Sequence, residues 1–266
     1  MTFSCDPTEY VNNLADEGIK EISSYSDFLI NDISTILFKY GINDIPIYML
    51  DWNTVTSSDS TALSGTFFRS AIIFESILKN YNDLNGIGFY LDTYRTIVER
   101  EDKNEGILGL FLTLKIKRPI FFVLDIFHKI NHNKILYRND NILITQENDK
   151  EYNIVIYNPN YIHPLLSVDY KFTEQLTKEI SIVIKNFIDG YYQIKKFIYD
   201  NSSDGIYSHI DKLGFPGYID EEIVEYLENS IAPKLTIINI HINGDFNLNV
   251  DLKFNSIVFY RIKKIN

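Results

Sequence analysis

Residues 45–54 read Ile45-Pro46-Ile47-Tyr48-Met49-Leu50-Asp51-Trp52-Asn53-Thr54, an apolar run that ends in a carboxylate, the only tryptophan and a polar turn. A short apolar run between turn residues is typical of a strand buried on both faces, as in a parallel sheet. In a (β/α)8 barrel the carboxyl ends of such strands face the active site, so Asp51 and Asn53 are the first candidate site residues. The alternative is that Asp51 starts a turn and Trp52 fills a core.

Strands and helices are predicted to alternate around this stretch. Helical periodicity between residues 22 and 40 ends at Gly41, and a proline opens a helix at residue 119. The predicted order is a strand over 1–5, a helix over 22–40, the strand over 45–54, a helix over 66–79, a strand over 87–91 and a helix over 119–130. This order indicates βα units on a parallel sheet, and three units form only part of a closed barrel.

From about Lys134 the pattern changes to short alternating strands separated by turn residues. We expect one hairpin to turn at Asp189-Gly190, between strands over 178–186 and 191–199, and another to turn at Gly244. Asp220 is the predicted N-cap of a short helix over 220–230. The predicted fold class is therefore α/β plus all-β: partial TIM-barrel βα units over 1–134, about strands 6–8 of the barrel, and an antiparallel β-sandwich over 135–266.

Composition limits the classes of function. The formal net charge is -11 and the sequence pI is about 4.9, so we expect no nucleic-acid binding by this chain itself. The short basic clusters at 115–118 and 261–264 are expected in solvent. Cys5 is the only cysteine, which favours a reducing, cytoplasmic setting. The first residues lack a signal-peptide pattern and no segment is apolar enough to cross a bilayer, so no membrane partner is expected.

No cofactor or metal is predicted. His128 and His132 have the i,i+4 spacing of two metal ligands, but the sequence suggests no third ligand and contains no His-Glu-x-x-His. The short Gly-Ile-Gly string at 86–88 lacks the rest of a phosphate-binding loop, and no Gly-x-Ser-x-Gly elbow is present.

With these elements placed, residues 45–54 resemble the strand of family 39 glycoside hydrolases, the β-xylosidase and α-L-iduronidase group, that reads roughly apolar-Thr-Glu-Trp-Asn-Thr. Further similar segments follow in the family's order over nearly the whole chain. They are residues 64–78 with 89–99, Gly106-Ile107-Leu108-Gly109-Leu110, Lys117-Arg118-Pro119-Ile120-Phe121-Phe122, Asp189-Gly190-Tyr191-Tyr192, Gly214-Phe215-Pro216, and Glu225-Tyr226-Leu227 followed by Ala232-Pro233. The resemblance implies the C-terminal part of the family's barrel and its sandwich, with about five strands missing upstream.

The departures from the family's pattern concern catalysis. A retaining glycosidase needs two carboxylates about 5–5.5 Å apart. Asp51 stands where the family has its nucleophilic Glu, and one methylene less moves the attacking oxygen by roughly an ångström, a change on the order of 100-fold in rate. The family's acid/base Glu lies in an Asn-Glu-Pro motif, which this chain lacks; Asn104-Glu105-Gly106 is the nearest string. No residue is therefore assigned a catalytic role.

This degenerate form resembles the domain at the C-terminus of AraC-type transcriptional regulators of Gram-positive bacteria. The resemblance implies a non-catalytic effector or interaction domain that senses a carbohydrate, with DNA binding left to an upstream helix-turn-helix. The predicted ligand contacts are Asp51, Asn53, Trp52, Tyr90, Asp92 and Glu99, and Tyr48 and Tyr94 are further aromatic candidates for stacking on a sugar ring. The alternatives are a fragment of an active, β-xylosidase-like hydrolase and a part that mainly dimerises its parent.

Overall fold

A computed structural model describes residues 2–4, 23–42, 45–50, 67–81, 83–89, 110–112, 115–130, 134–160, 170–200, 203, 205–214, 216 and 218–265. Its helices are α1 (Ser23–Lys39), α2 (Ser70–Asn80, preceded by a 3-10 turn, Phe67–Arg69), α3 (Pro119–Lys129), α4 (Tyr170–Glu174), α5 (Ile206–Lys212) and α6 (Glu221–Ser230). Its strands are β1 (Thr2–Ser4), β2 (Tyr48–Leu50), β3 (Gly86–Ile87), β4 (Phe111–Leu112), β5 (Ile116–Lys117), β6 (Ile135–Arg138), β7 (Ile142–Asn148), β8 (Glu151–Tyr157), β9 (Lys178–Tyr199), β10 (Lys234–Leu252) and β11 (Ile257–Lys264).

The first half contains a parallel sheet in the order β1-β2-β3. Helix α2 runs antiparallel to β2, because it follows β2 in the chain and ends at the amino end of the same strand. There Asn85 N–H donates to the Ile47 carbonyl over 2.8 Å, and Ile47 N–H donates back to Asn85 Oδ1 over 2.8 Å. Helices α2 and α3 lie side by side and point the same way, since Phe67 meets Phe122 near their starts and Phe74 stacks on Phe127 further along. The expected βα arrangement is present in these segments.

The second half is built on a six-stranded antiparallel sheet in the order β10-β9-β11-β8-β7-β6. The last strand of the chain, β11, lies between β8 and β9 and pairs with both. Among the strands that the structure describes, β6 lies at one edge of this sheet and β10 at the other. Residues 234–239 of β10 are all exposed and include Leu235, Ile237 and Ile238, each about half exposed.

The two predicted hairpins at Gly190 and Gly244 are wrong. Residues 178–199 form one long strand and residues 234–252 another, and the two strands pair with each other along their length. The pairing shifts register around Gly244, where φ is 83°, and Asn186 on the facing strand has φ 59°. These positive φ values produce bulges that bend a continuous ribbon, whereas the sequence pattern suggested turns that reverse the chain.

A single core cluster joins the two halves. Phe74 of α2 is fully buried and contacts Phe127 of α3 (4.8 Å between ring centroids) and Tyr157 of β8 (5.1 Å). The same cluster includes Met49, Phe67, Val123, Ile126, Leu143, Val155, Tyr199, Ile257 and Phe259. The helices of the parallel part thus pack directly on one face of the antiparallel sheet. The division at residue 134 stays a prediction about folding units.

Hydrogen bonds reinforce this packing at the helix ends. Arg138 donates from Nη2 to the Leu78 carbonyl in the last turn of α2 over 3.2 Å. The buried Asn153 of β8 donates from Nδ2 to the Lys129 carbonyl at the end of α3 and to Glu147 Oε1, both over 2.9 Å. The bonds to the Leu78 and Lys129 carbonyls each supply a partner for a helix carbonyl that lacks one within its own helix.

Candidate functional site

The six predicted ligand contacts lie outside the described residues. They are Asp51, Trp52, Asn53, Tyr90, Asp92 and Glu99, and Tyr94 lies outside as well. Their role at the site stays a prediction. The structure does describe the strands and helices from which these segments depart.

The carboxyl ends of β1, β2 and β3 lie at one edge of the parallel sheet. In register, Ser4 stands beside Leu50 and Met49 beside Ile87, and Gly88 N–H donates to the Met49 carbonyl over 2.7 Å. In parallel βα structures, ligands bind at this edge. Asp51 is the next residue along the chain after β2, and its place at this edge stays a prediction.

The two faces of β2 differ sharply in burial. Met49 is 1% exposed and packs into the core beneath α2, whereas Tyr48 and Leu50, on the opposite face, are 41% and 40% exposed. Both large side chains lie over glycines of the neighbouring strand: a Cβ at Gly86 would meet Tyr48 Cδ1 at 3.0 Å, and one at Gly88 would meet Leu50 Cδ2 at 2.9 Å. Glycine at position 86 therefore leaves room for the Tyr48 ring, and glycine at position 88 leaves room for the Leu50 side chain.

Tyr48 is the one sequence-predicted stacking aromatic among the described residues. An accessible tyrosine ring can lie against the apolar face of a sugar, and its hydroxyl can donate and accept hydrogen bonds. The described residues at this edge, from 48 to 50 and from 86 to 89, include no carboxylate. Acid/base or nucleophilic groups at this edge would have to come from the segments that follow the strands.

Two buried arginines lie at the starts of helices α2 and α3, and no sequence pattern indicated their burial. Arg69 precedes α2 and Arg118 precedes α3, and they are 6% and 7% exposed. The expectation that residues 115–118 lie in solvent is therefore wrong for Arg118, whose Nε donates to the Phe111 carbonyl over 3.3 Å. Burial, together with the nearby charge of Arg118, lowers the pKa of the Arg69 guanidinium to about 9. A Lys-x-Lys-Arg-Pro string gives no sign that its last cation is buried.

Within the described stretches, no group of three or more His, Cys, Asp or Glu side chains is placed to hold a metal ion. Of the two histidines with metal-ligand spacing, His128 lies in the last turn of α3 and His132 falls outside the described residues. Among the helices that the structure describes, none is long and apolar enough to span a bilayer.

Residues 14–247 match the family model for the glycosyl hydrolases of family 39. The chain belongs to family 39. The fold agrees with solved family 39 structures: a GH39 enzyme from Xanthomonas axonopodis pv. citri superposes with a TM-score of 0.69 at 11% identity, over 94% of this chain and 52% of that one. A monomeric β-xylosidase from Caulobacter crescentus CB15 gives 0.68 at 13% identity, over 94% and 53%.

The curated relatives of this family 39 chain are regulators. An uncharacterized HTH-type transcriptional regulator of Staphylococcus aureus strain N315 is 27% identical over 255 residues, which is 95% of this chain and 34% of the regulator. A second, from strain MRSA252, is 26% identical over the same share of each chain. The chain thus spans about a third of the length of the curated relatives that it matches.

Proposed function

We propose that this chain is part of a non-catalytic effector domain, derived from a family 39 glycoside hydrolase, in an AraC-type transcriptional regulator of the cytoplasm. The observation that carries the proposal is the match to HTH-type regulators along 95% of the chain. The regulators are about three times as long, and the proposed DNA contact is made by a helix-turn-helix in their remaining sequence. The net charge of -11 is consistent with leaving DNA to another part of the protein.

The proposed absence of catalysis follows from the chemistry of the residues. Asp51 occupies the position that resembles the family's nucleophile, and the shorter side chain misplaces an attacking oxygen by roughly an ångström. No Asn-Glu-Pro occurs in the 266 residues, so the acid/base partner is missing from this chain. Double displacement at a sugar needs both carboxylates. What such a site retains is the capacity to bind a sugar without cleaving it.

The finer architecture belongs to the same proposal. The three parallel strands correspond to about strands 6–8 of a (β/α)8 barrel, whose other strands come from the longer regulator. The antiparallel half corresponds to a β-sandwich. In support, the part of the ribbon formed by 178–185 and 246–252 shares an apolar cluster with β8 and β11, as a second layer over the sheet would.

The proposed ligand is a small carbohydrate, held without a cofactor or metal at the carboxyl-end edge of the parallel sheet. The proposed polar contacts are Asp51, Asn53, Asp92 and Glu99, and the proposed aromatic contacts are Trp52 and Tyr90, with Tyr48 two residues before that edge. We also propose that the regulator is a homodimer, because helix-turn-helix proteins commonly bind two half-sites through a two-fold dimer.

Two measurements test the proposal. Aryl β-xylosides incubated with the purified chain and with the full-length regulator should release no nitrophenol above the buffer rate. Xylo-oligosaccharides titrated into wild type and Tyr48→Ala, with Phe38→Ala on the exposed surface of α1 as control, should give heat that only Tyr48→Ala reduces. Ordinary turnover that Asp51→Asn abolishes would overturn the non-catalytic reading.

The alternative proposal is a fragment of an active retaining hydrolase whose acid/base residue lies upstream. The match to the family model over residues 14–247 favours it. The upstream reading frame separates the two proposals: an Asn-Glu-Pro motif there supports the enzyme, and a helix-turn-helix supports the regulator. Sedimentation of the parent protein tests the dimer independently of either.

A further inference from the structure

Two buried asparagines join the end of β8 to the turn between β10 and β11. Asn158 is 0% exposed and Asn255 is 1% exposed. Their backbones are bonded through Asn255 N–H to the Asn158 carbonyl over 2.8 Å, and through Asn158 N–H to the Ser256 carbonyl over 3.1 Å. The Asn158 amide donates from Nδ2 to the Leu176 carbonyl over 2.8 Å. We call Asn158 and Asn255 the asparagine joint.

The joint also reaches the helix that follows β2. The Asn255 carbonyl accepts a 3.1 Å hydrogen bond from Ala71 N–H, in the first turn of α2, where helix N–H groups have no partner within the helix. The Asn255 side chain accepts from Asn160 N–H over 2.6 Å. Asn255 has φ 53°, a left-handed conformation that asparagine tolerates better than other residues with a side chain. One residue thus fixes a helix start, a strand end and a turn.

Two buried side-chain atoms of the joint, Asn158 Oδ1 and Asn255 Nδ2, have no hydrogen-bond partner among the described residues. A buried polar group without a partner is destabilising. Both groups would gain water as a partner if the joint opened, and elements that open below the global unfolding free energy are the ones used in conformational switching.

We propose that the asparagine joint is a conformational coupling, through which the first turn of α2 and the β10–β11 turn open and close as one unit. Helix α2 starts at the carboxyl-end edge of the parallel sheet, where the proposed ligand binds, and the β10–β11 turn belongs to the antiparallel sheet. The inference deepens the proposed function by giving an effector domain a route from its site to its second sheet. The role of this coupling in signalling rests on the proposed function, but the coupling itself can be tested without a ligand.

The test is amide hydrogen exchange on the full chain and on Asn255→Gly. Glycine adopts positive φ readily, so the turn and the carbonyl bond to Ala71 N–H are kept, while the acceptor for Asn160 N–H is lost. Coupling predicts that the Asn160 and Ala71 amides both exchange about tenfold faster, in proportion to the lost hydrogen bond. A local role predicts that only Asn160 accelerates, which would overturn the proposal.

Asn186→Gly is the matched control. Asn186 also has positive φ and lies in the same sheet, within the bulged strand β9, without a hydrogen bond to α2 among the described contacts. This substitution removes an asparagine side chain at a residue with a similar positive φ. Coupling through the joint predicts unchanged exchange at both Ala71 and Asn160 in this variant; acceleration there equal to that in Asn255→Gly would refute it.

Asn255→Asp provides a second variant should glycine prevent folding. The aspartate is isosteric, keeps an acceptor for Asn160 N–H and becomes neutral when it is protonated; exchange is compared with that of the wild type at each pH. A buried carboxyl has a raised pKa, so its charged form is penalised as the pH rises through that value. The expected result is loss of protection at Ala71 and Asn160 over the same pH range. Loss at Asn160 alone would overturn the proposal.

Discussion

Replacing Phe74 with leucine should destabilise both halves of the chain in a single unfolding transition. The Phe74 ring is fully buried, stacks on Phe127 at 4.8 Å and meets Tyr157 edge-on at 5.1 Å. An aromatic pair contributes about 0.5–1.5 kcal/mol beyond the area that it buries. Leucine keeps most of the apolar volume and loses both ring contacts, so the free energy of unfolding should fall by about 1–3 kcal/mol.

The assay is urea denaturation followed by two probes. Fluorescence of Trp52, the only tryptophan, reports on the sequence that follows β2, and pulsed hydrogen exchange of the β8, β9 and β11 amides at each urea concentration reports on the antiparallel sheet. With a urea slope of about 3 kcal/mol per molar, the midpoint should shift by roughly 0.3–1 M in both signals. Phe38→Leu is the control, because Phe38 is 78% exposed and its replacement should shift neither signal.

Separate midpoints in the two signals, with only the fluorescence transition moved by Phe74→Leu, would refute this reasoning. That result would mean that the halves unfold independently and that residue 134 divides two folding units. Coincident transitions would mean that the shared cluster of Phe74 and Tyr157 makes them one unit.

Two further changes have outcomes fixed by the structure. Burial raises the pKa of Tyr157 and of Tyr260 to about 12, so between pH 10 and 12 these phenols ionise in the unfolded chain but not in the folded one. The free energy of unfolding should therefore fall by about 1.4 kcal/mol per pH unit for each tyrosine over that range. Urea titrations at several pH values measure this slope, and Tyr260→Phe should lessen it. Asp220 caps α6 by accepting from Ile223 N–H over 2.9 Å, so Asp220→Ala should cost about 1 kcal/mol in thermal unfolding, whereas Asp220→Asn, which can also cap, should cost less than half as much.

The helices were predictable because their signals are local. The predicted helix over 119–130 is found at Pro119–Lys129, and Asp220 is the N-cap of α6 as expected. Periodic apolar residues, a proline in the first turn and a capping carboxylate depend on neighbours within a few positions. The short helices α4 and α5 escaped notice because five to seven residues do not show a clear period.

Strand pairing was harder to predict because partners are distant in sequence. Asp189-Gly190 and Gly244 carry the residue types of hairpin turns, and the sequence alone does not distinguish a turn from a bulge that bends a strand. The pairing of β9 with β10 spans two intervening helices, and only the tertiary fold sets that register. The burial of Arg118 was missed for the same reason, since it depends on contacts that no local pattern records.

At the candidate site too, the local element could be predicted from the sequence and the tertiary contacts could not. The sequence placed Asp51 after a strand, and the structure describes that strand, its parallel neighbours and the exposed Tyr48 on its open face. The proposed ligand contacts belong to segments that follow the strands, which periodicity does not resolve, and they stay predictions. The family match and its regulator relatives add a class of function that no single residue in the chain implies.

The position of β11 has a consequence for biosynthesis. Residues 257–264 form an interior strand between β8 and β9, although they are translated after both of these strands. While the ribosome still holds residues 257–264, β8 and β9 have no strand between them. Their apolar residues therefore stay exposed until β11 has emerged. The antiparallel sheet should therefore close only after residue 264 has left the ribosome exit tunnel, and nascent chains paused before residue 257 should be the form that chaperones engage.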